Sequence, residues 1–358
     1  MQDNSNKTVF VGMSGGVDSS VSALLLKNAG YQVVGVYMKN WSRDLPGMKC
    51  PWAEDLADAK RVATKLDIDF RIFDFEEEYH QKVVDYMLAE FKKGNTPNPD
   101  IMCNQEIKFK LFYEVAKEQG ADLIATGHYA NSIHGNLKKA VDQNKDQTYF
   151  LYRISEEAVK STIFPLGHLL KPEVKQLAAE HGLDNAYKKE SMGVCFVGEV
   201  GMHDFLKEYF TVNPGEIIDR ETNQVLGVHD GAIFYTIGQR HGLNLSGGLP
   251  YYIVDKDMAK NTIYVSRNLN NPSLWTNHLE LKDLFLRPEY TENGELVQLP
   301  SQLDIRIRHR AALQSAKLTL GQNNQANLVF DHEFKRPAAG QSAVFYHDDV
   351  CLGGGIIK

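Results

Sequence analysis

The first half of the chain alternates short apolar runs with longer stretches of helical periodicity. Residues 8–12 and 33–38 are apolar and rich in valine, which predicts buried strands, and residues 19–28 predict a helix that stops before Gly30. The alternation continues, with helices predicted at 52–66, 79–92 and 106–119 and strands at 70–73 and 123–125. Strands that alternate with helices at this spacing form βαβ units, so we predict an α/β fold with a doubly wound parallel sheet.

The pattern changes after residue 199, where short β-branched and aromatic segments are separated by Gly, Asn or Asp. Such segments predict a small antiparallel β-module, with strands at 216–219, 233–237, 251–255 and 262–265. Residues 268–274 have the composition of a linker, and further short strands are predicted at 303–308, 316–320, 326–330 and 343–346. We therefore predict an α/β domain at 1–199, a central β-rich domain at 200–270 and a C-terminal β-barrel at 271–358.

Composition narrows the class of protein. Hydrophobic residues make up 43% and charged residues 24%, a balance that excludes a disordered chain or a small disulfide scaffold. No apolar run approaches the roughly 18 residues of a membrane span, and the polar first residues lack a signal core, so we expect a cytoplasmic protein. A net charge of −7 argues against an indiscriminate polyanion binder but permits a local basic groove. The four cysteines lack CxxC spacing and predict neither a disulfide framework nor a zinc site.

The strongest local signal is a loop between the first predicted strand and the first predicted helix. It contains Gly12, Met13, Ser14, Gly15, Gly16, Val17, Asp18 and Ser19. Glycines let the backbone approach a ligand closely, and the following helix offers free N–H groups and the positive end of its dipole. The lysine of a GxxxxGK[ST] loop is absent. The loop therefore predicts an anion site of a different type.

Two cysteines and one aspartate lie in segments that suit chemistry. Cys103 follows a proline-containing segment and precedes a predicted helix, whose N-terminal dipole lowers the pKa of a thiol. Asp100, three residues earlier, suits either proton transfer or the capping of a turn. Cys195 is flanked by glycines, in a segment with freedom to change conformation. From the residues alone, both cysteines also suit buried structural positions.

The loop sequence SGGVDSS resembles the pyrophosphatase loop of the N-type ATP enzymes, which cleave ATP between the α- and β-phosphates. The resemblance implies that ATP binds here, that the loop holds pyrophosphate and that Asp18 helps to organise the Mg²⁺ accompanying ATP. No metal site fixed by the protein alone is implied. Met38 is implied to lie at the adenine, and Gly127 follows a strand whose carboxyl end faces the same edge of the sheet.

Further motifs, in the same order along essentially the whole chain, resemble the tRNA-specific 2-thiouridylase family. They are CPW at 50–52, NPDIMCN at 98–104, ATGHYA at 125–130, KDQTYFL at 145–151, GVCFVG at 193–198 and YTIGQR at 235–240. The resemblance implies ATP-dependent 2-thiolation of the wobble uridine in tRNAs of the Lys, Glu and Gln type. The C2 oxygen is adenylated with release of pyrophosphate, and sulfur from a cysteine persulfide then replaces AMP.

The same resemblance implies roles for individual residues. Cys195 accepts the persulfide sulfur, and Cys103 is the second catalytic cysteine, which attacks the persulfide and leaves a disulfide. Asp100 is the acid or base at the uracil ring and, with Asn98 and Pro99, recognises the target base.

Contacts to tRNA are implied in two distant parts of the chain. They are assigned to His128, Lys145, Asp146, Gln147, Arg308, His309 and Gln341. The implied partners are tRNA and a persulfide sulfur-donor protein, either a relay protein or a cysteine desulfurase, and no membrane. Alternation over 306–310 predicts a strand with Arg306, Arg308 and Arg310 on one face, which suits either phosphate contacts or a solvated surface.

Two other classes of function stay open from the residues. An ATP pyrophosphatase that acts on a small molecule explains the loop but not the two cysteines or the extra β-domains. A non-enzymatic nucleotide-binding module has no use for Asp100 beside paired cysteines. The discriminating observation is whether pyrophosphate release requires unmodified tRNA, an amide donor or neither.

Overall fold

The computed structural model describes most of the chain. The described residues are 4–46, 49–188, 201–245, 249–287, 291–292, 295–296, 299–300 and 302–358, and the side chains of 291–298 are not described.

A five-stranded sheet forms the centre of the first domain, and all its strands are parallel. Its strand order is β3-β2-β1-β4-β7, with β1 at Thr8–Gly12, β2 at Gln32–Lys39, β3 at Asp69–Asp74, β4 at Leu123–Ala125 and β7 at Thr162–Ile163. Alternate residues of β1 enter different apolar clusters: Val9 and Val11 belong to one and Phe10 to another. Both faces of the sheet are therefore buried, and the predicted α/β fold is confirmed.

The described α-helices are α1 (Val17–Asn28), α2 (Trp52–Lys65), α3 (Glu76–Tyr79), α4 (Asp85–Lys92), α5 (Pro99–Met102), α6 (Phe112–Glu118), α7 (Thr148–Leu151), α8 (Glu156–Lys160), α9 (Lys171–Glu180) and α10 (Met202–Lys207). A π-helical segment over His80–Val84 joins α3 to α4, and another over Cys103–Leu111 joins α5 to α6. The helix predicted at 106–119 therefore begins seven residues earlier, at Pro99. It does so because the Asn98 side chain caps its first turn and proline suits the first helical position.

The central domain contains a four-stranded sheet of order β10-β11-β8-β9. Its strands are β8 at Gly215–Asp219, β9 at Val225–His229, β10 at Tyr252–Asp257 and β11 at Thr262–Ser266. The prediction of a purely antiparallel module is wrong at one pair, because β11 runs parallel to β8. The long connection between β9 and β10 permits this arrangement, and within it the segment predicted as a strand at 233–237 begins as a 3₁₀ turn, Ala232–Phe234.

Six strands close into the C-terminal barrel in the order β12-β17-β16-β15-β18-β19, with β19 pairing back to β12. They are β12 (Trp275–Leu286), β15 (Leu303–Arg306), β16 (Gln314–Leu320), β17 (Ala326–Lys335), β18 (Ser342–His347) and β19 (Val350–Ile357); a small hairpin pairs β13 (Thr291–Glu292) with β14 (Glu295–Leu296). The predicted barrel is confirmed, but β15 ends at Arg306, so the prediction that three arginines share one strand face is wrong. Arg306 is buried, whereas Arg308 and Arg310 are exposed in the turn that follows.

The first and third domains pack closely along what we call the domain seam. A hairpin of the first domain, β5 (Asn131–Ile133) and β6 (Asn136–Lys138), joins the barrel sheet where β6 pairs with β19. Beside it, Arg306 Nη1 donates to Asp146 Oδ2 at 2.6 Å, and the hydroxyls of Thr148 and Tyr346 lie 3.1 Å apart. The seam therefore fixes the barrel against the sheet that carries the Gly- and Ser-rich loop at 12–19, which we call the phosphate loop. No helix in the described part of the chain has the length and apolar character needed to span a membrane.

Candidate active site

The Gly- and Ser-rich loop lies between the end of β1 and the start of α1, as predicted, and is held in shape by its own serines. Ser19 Oγ donates to the carbonyl of Gly16 at 3.0 Å and accepts from the backbone N–H of Ser14 at 3.2 Å. Among the described residues, no side chain caps the N-terminus of α1. The N–H groups and the positive end of the helix dipole are therefore directed at the loop, an arrangement that binds anions.

Two glycines make this loop possible for steric reasons. Gly15 has φ +78°, and a Cβ placed there would lie 2.4 Å from the carbonyl oxygen of Asp55. A Cβ on Gly127, which follows β4, would lie 2.7 Å from the backbone nitrogen of Ser19. The loop is thus clamped between the start of α2 and the end of β4, and both positions require glycine.

Asp18 does not stand alone at the loop. Lys171 Nζ, at the start of α9, donates to its two carboxylate oxygens at 2.6 and 2.8 Å, and the Tyr129 hydroxyl donates at 3.0 Å. The Lys171 side chain is only 8% exposed, whereas that of Asp18 is 31% exposed, so the ion pair is buried on the lysine side and reaches solvent on the other. Sequence reasoning did not single out Lys171, because 153 positions separate it from Asp18. The lysine competes for the oxygens that a magnesium ion would need, so Asp18 as found fits poorly as a direct magnesium ligand.

A cavity of about 270 Å³ opens at the carboxyl edge of the sheet. Its lining comes from the ends of three neighbouring strands and the segments that follow them: Met38 and Asn40 at β2, Gly12, Met13, Ser14, Asp18 and Ser19 at β1, and Thr126–His128 after β4. Trp41, Cys50, Trp52 and Asp55 line the same cavity, as do Lys108 and Gln147. The predicted adenine residue Met38 and the predicted tRNA-contact residue His128 therefore lie on opposite sides of the phosphate loop.

The helix that carries Cys103 passes beside this cavity; α5, the π-helical segment and α6 together form what we call the Cys103 helix. The Asn98 side chain accepts the backbone N–H of Asp100 at 3.1 Å and thereby caps the helix. Cys103 is buried and lies just beyond the first turn. The expected effect of the helix dipole on its thiol is therefore smaller than the sequence implied, because that effect fades within one turn.

Burial changes the protonation of two groups near this helix. Desolvation raises the pKa of Asp100, and the charge of Lys108 partly opposes that rise. Desolvation lowers the pKa of His128 well below its usual value, and Lys108 lowers it further. His128 is consequently a neutral ring, with Nδ1 2.8 Å from the hydroxyl of Thr126. Asp100 is poised to take up a proton more readily than an exposed aspartate.

Cys195 lies outside the described residues, so its role as the persulfide acceptor that Cys103 attacks stays a prediction. The described residues on either side contact the walls of the site. Lys188 Nζ donates to Asp55 Oδ1 at 2.7 Å, and the ring of Phe205 lies 6.2 Å from that of Trp41.

The predicted tRNA-contact residues of the first domain have different environments. Asp146 is only 1% exposed and accepts bonds from Arg306 and Thr148, so its carboxylate has a role in the domain seam. Gln147 lines the cavity, where its Oε1 accepts the backbone N–H of Tyr129 at 2.9 Å.

The predicted contact residues of the barrel also differ among themselves. Arg308 is exposed. Burial lowers the pKa of His309 to about 4, with the charges of Arg310 and Arg306 contributing, and its ring centroid lies 4.6 Å from that of Phe150. Gln341 Nε2 donates to the carbonyl of Thr96 at 2.7 Å, which joins the barrel to the segment leading into Asn98.

The parallel sheet, its phosphate loop and the cavity across three strand ends define an α/β enzyme domain of the pyrophosphatase-loop (PP-loop) ATPase type. Family models match all three parts of the chain: a tRNA methyl transferase HUP domain over residues 7–199, a tRNA methyl transferase PRC-barrel domain over 203–267 and an aminomethyltransferase beta-barrel domain over 285–357.

Similarity to curated proteins extends along the full chain. The chain is 45% identical to a tRNA-specific 2-thiouridylase MnmA from Pseudoalteromonas translucida, with 100% of this chain and 99% of the relative covered. It is 44% identical to a tRNA-specific 2-thiouridylase MnmA from Levilactobacillus brevis, with 100% and 96% covered. The chain belongs to the tRNA-specific 2-thiouridylase family and is a tRNA sulfurtransferase.

Proposed function

We propose that this enzyme uses ATP and a cysteine persulfide to convert the wobble uridine of tRNAs of the Lys, Glu and Gln type into 2-thiouridine. The observation that carries the proposal is the placement of the Cys103 helix beside the nucleotide cavity. One helix thereby carries Asp100 in its capped first turn, the buried Cys103 and Lys108, which lines the cavity.

In this proposal the cavity binds ATP with the adenine at Met38 and the β- and γ-phosphates on the loop. The backbone N–H groups at the start of α1 and the hydroxyl of Ser14 bind the phosphate oxygens. Gly127 gives the α-phosphate close access to the loop, because it packs against the backbone of Ser19 without a side chain. A magnesium ion bound together with ATP would supply charge neutralisation for the phosphates.

Adenylation requires a base that removes the N3 proton of the uracil ring. The C2 oxygen forms a bond to the α-phosphorus, the bond from that phosphorus to the bridging oxygen breaks, and pyrophosphate leaves with the electron pair. Asp100 takes the N3 proton, for which its raised pKa suits it. Asn98, which holds Asp100 on the first turn of the helix, positions that carboxyl group toward the target base.

Sulfur transfer follows in a second step. A donor protein first loads Cys195 with a persulfide. The Cys103 thiolate then attacks the Cys195 sulfur, so that a Cys103–Cys195 disulfide forms and hydrosulfide is released. Hydrosulfide attacks C2 of the adenylated uridine and AMP leaves. A cellular dithiol reduces the disulfide before the next turnover.

The test is mass spectrometry of nucleosides from unmodified tRNA incubated with ATP, Mg²⁺ and a persulfide donor. We expect 2-thiouridine with the wild-type protein and none with Cys103→Ser or Cys195→Ser, while tRNA-dependent pyrophosphate release persists in both variants. Cys351→Ala is the matched control, since burial raises the pKa of that thiol to about 12 and makes it unreactive. Pyrophosphate release that needs an amide donor instead of tRNA would contradict the proposal.

A further inference from the structure

Lys108 occupies a position in the cavity that the proposed chemistry leaves without an assignment. It lies on the π-helical segment Cys103–Leu111 and lines the nucleotide cavity together with Thr126, Gly127 and His128. We propose that Lys108 is a catalytic residue that binds the α-phosphate of ATP and stabilises the charge that develops there during adenylyl transfer. This inference rests on the proposed function, because it concerns the adenylation of uridine.

The helical geometry keeps Lys108 closer to the side of Cys103 than a regular helix would. A π-helix has hydrogen bonds between residues five apart and therefore turns less per residue than an α-helix. In a regular α-helix, with 3.6 residues per turn, a residue five positions later points well away from the first. The Cys103 helix therefore carries a cation that lines the cavity, and the charge of that cation reaches the carboxyl group of Asp100 in the first turn.

The cavity lining itself contributes a positive charge at Lys108. Among the described residues that line the cavity, Lys108 alone is a lysine or arginine. Two lysines near the cavity, Lys171 and Lys188, pair with the carboxylates of Asp18 and Asp55. His128 is a neutral ring and supplies no charge.

The position of Lys108 also fits the place where the uridine oxygen must reach the α-phosphorus. Lys108 lines the cavity beside His128, at the strand end that faces the phosphates, and its charge also reaches Asp100, the group proposed to take the N3 proton. The uridine oxygen must meet the α-phosphorus in this space. When the bond to the bridging oxygen breaks, a fixed ammonium group offsets the negative charge on the α-phosphate oxygens without reorganisation of solvent.

The test compares Lys108→Met with Lys108→Arg and with the control Lys110→Ala. Lys110 lies two residues further along the same segment, is exposed and pairs with Glu106 at 3.2 Å. The readout is single-turnover release of pyrophosphate from ATP in the presence of unmodified tRNA. ATP affinity without tRNA and the alkylation rate of Cys103 are measured in parallel, and thermal unfolding confirms that each variant is folded.

We expect Lys108→Met to slow pyrophosphate release by about 10²–10³-fold while ATP affinity changes by less than about tenfold, as for removal of one donor from an oxyanion site. Lys108→Arg should recover part of the rate, and Lys110→Ala should match wild type. A wild-type rate in Lys108→Met overturns the inference, as does a loss confined to Cys103 alkylation and sulfur transfer. If wild-type protein itself releases no pyrophosphate with tRNA, the proposed function fails instead, so the two failures are distinguishable.

Discussion

The phosphate loop and the domain seam are both dense in hydrogen bonds, but they draw on the chain in different ways. Within the loop, Ser14 bonds to Ser19, five positions away. Across the seam, Asp146 bonds to Arg306 over 160 positions, and Thr96 bonds to Gln341 over 245. The loop is a local structure that the neighbouring elements clamp, whereas the seam exists only when two complete domains have folded and met.

This difference determines whether the role of a residue can be inferred from the sequence around it. The role of a serine or glycine in the loop depends on its immediate neighbours and can be inferred from the motif. The carboxylate of Asp146 lies in an equally distinctive motif, but its partners are an arginine and a threonine buried with it. A charged residue in a family motif can thus hold two domains together through its side chain.

The largest expected effect comes from breaking the seam. Asp146→Ala leaves Arg306, whose side chain is 9% exposed, as a buried charge without its carboxylate. We expect the free energy of unfolding to fall by about 3–5 kcal/mol, the usual cost of removing one member of a buried pair. Equilibrium unfolding in urea measures this change.

Asp349→Ala is the matched control for that variant. Asp349 also joins the two domains, through Lys138 at 3.4 Å, but its side chain is 57% exposed. Solvent screens such a pair, so we expect little change in stability. Equal losses in the two variants would show that burial does not distinguish the seam pair from a surface pair.

A second change tests the loop side of the comparison. Gly15→Ala introduces a Cβ 2.4 Å from a backbone oxygen and should displace the loop, lowering tRNA-dependent pyrophosphate release by about 100-fold. Gly30→Ala is matched in backbone strain, since Gly30 has φ +85°, but a Cβ placed there would meet no atom within 4 Å. That control should keep the wild-type rate of pyrophosphate release. A rate near wild type in Gly15→Ala would mean that the loop tolerates displacement.

The sequence predicts the features with a local pattern better than the contacts between distant segments of the chain. The periodicity of apolar residues predicted the parallel sheet, and the SGGVDSS motif predicted the loop between β1 and α1, because both leave a pattern among residues that are close in the sequence. The strand predicted at 303–308 ends at Arg306, and the bond from that side chain to Asp146 is a contact that no local pattern reveals. Lys171 was missed for the same reason.

Lys108 was missed for another reason. The predicted helix began at 106 and was assumed to be regular, whereas the structure has a capped start at Pro99 and π-helical hydrogen bonds from Cys103. Helical pitch is a property of the packed helix that residue periodicity does not report at this length. With a regular α-helical pitch, Lys108 would point further from the side of Cys103.

A smaller effect is expected where all three domains meet. The hydroxyls of Thr96 and Thr236 lie 3.1 Å apart, which joins the central domain to the segment that leads into Asn98. Thr236→Val keeps the shape and removes this hydrogen bond, worth about 1 kcal/mol. We expect kcat/KM for tRNA to fall about fivefold with ATP affinity unchanged, and Thr236→Ser to restore the rate. A uniform loss with both substitutions would point to packing instead of the hydrogen bond.

The smallest expected effect separates two neighbours on the barrel that the family resemblance treats alike. Arg308 is exposed and permanently charged, so Arg308→Ala should lower the slope of log K for tRNA against log salt by roughly one unit. The pKa of His309 is lowered to about 4, so its ring is neutral throughout pH 6–8 and carries no charge to a phosphate. His309→Gln should therefore leave the slope unchanged across that range, even if affinity falls because the ring no longer packs on Phe150.

The measurement is tRNA binding at several salt concentrations at pH 6 and pH 8. A steeper wild-type slope at pH 6 that His309→Gln abolishes would show that the ring is protonated on tRNA, and an unchanged slope in Arg308→Ala would make that side chain merely solvated.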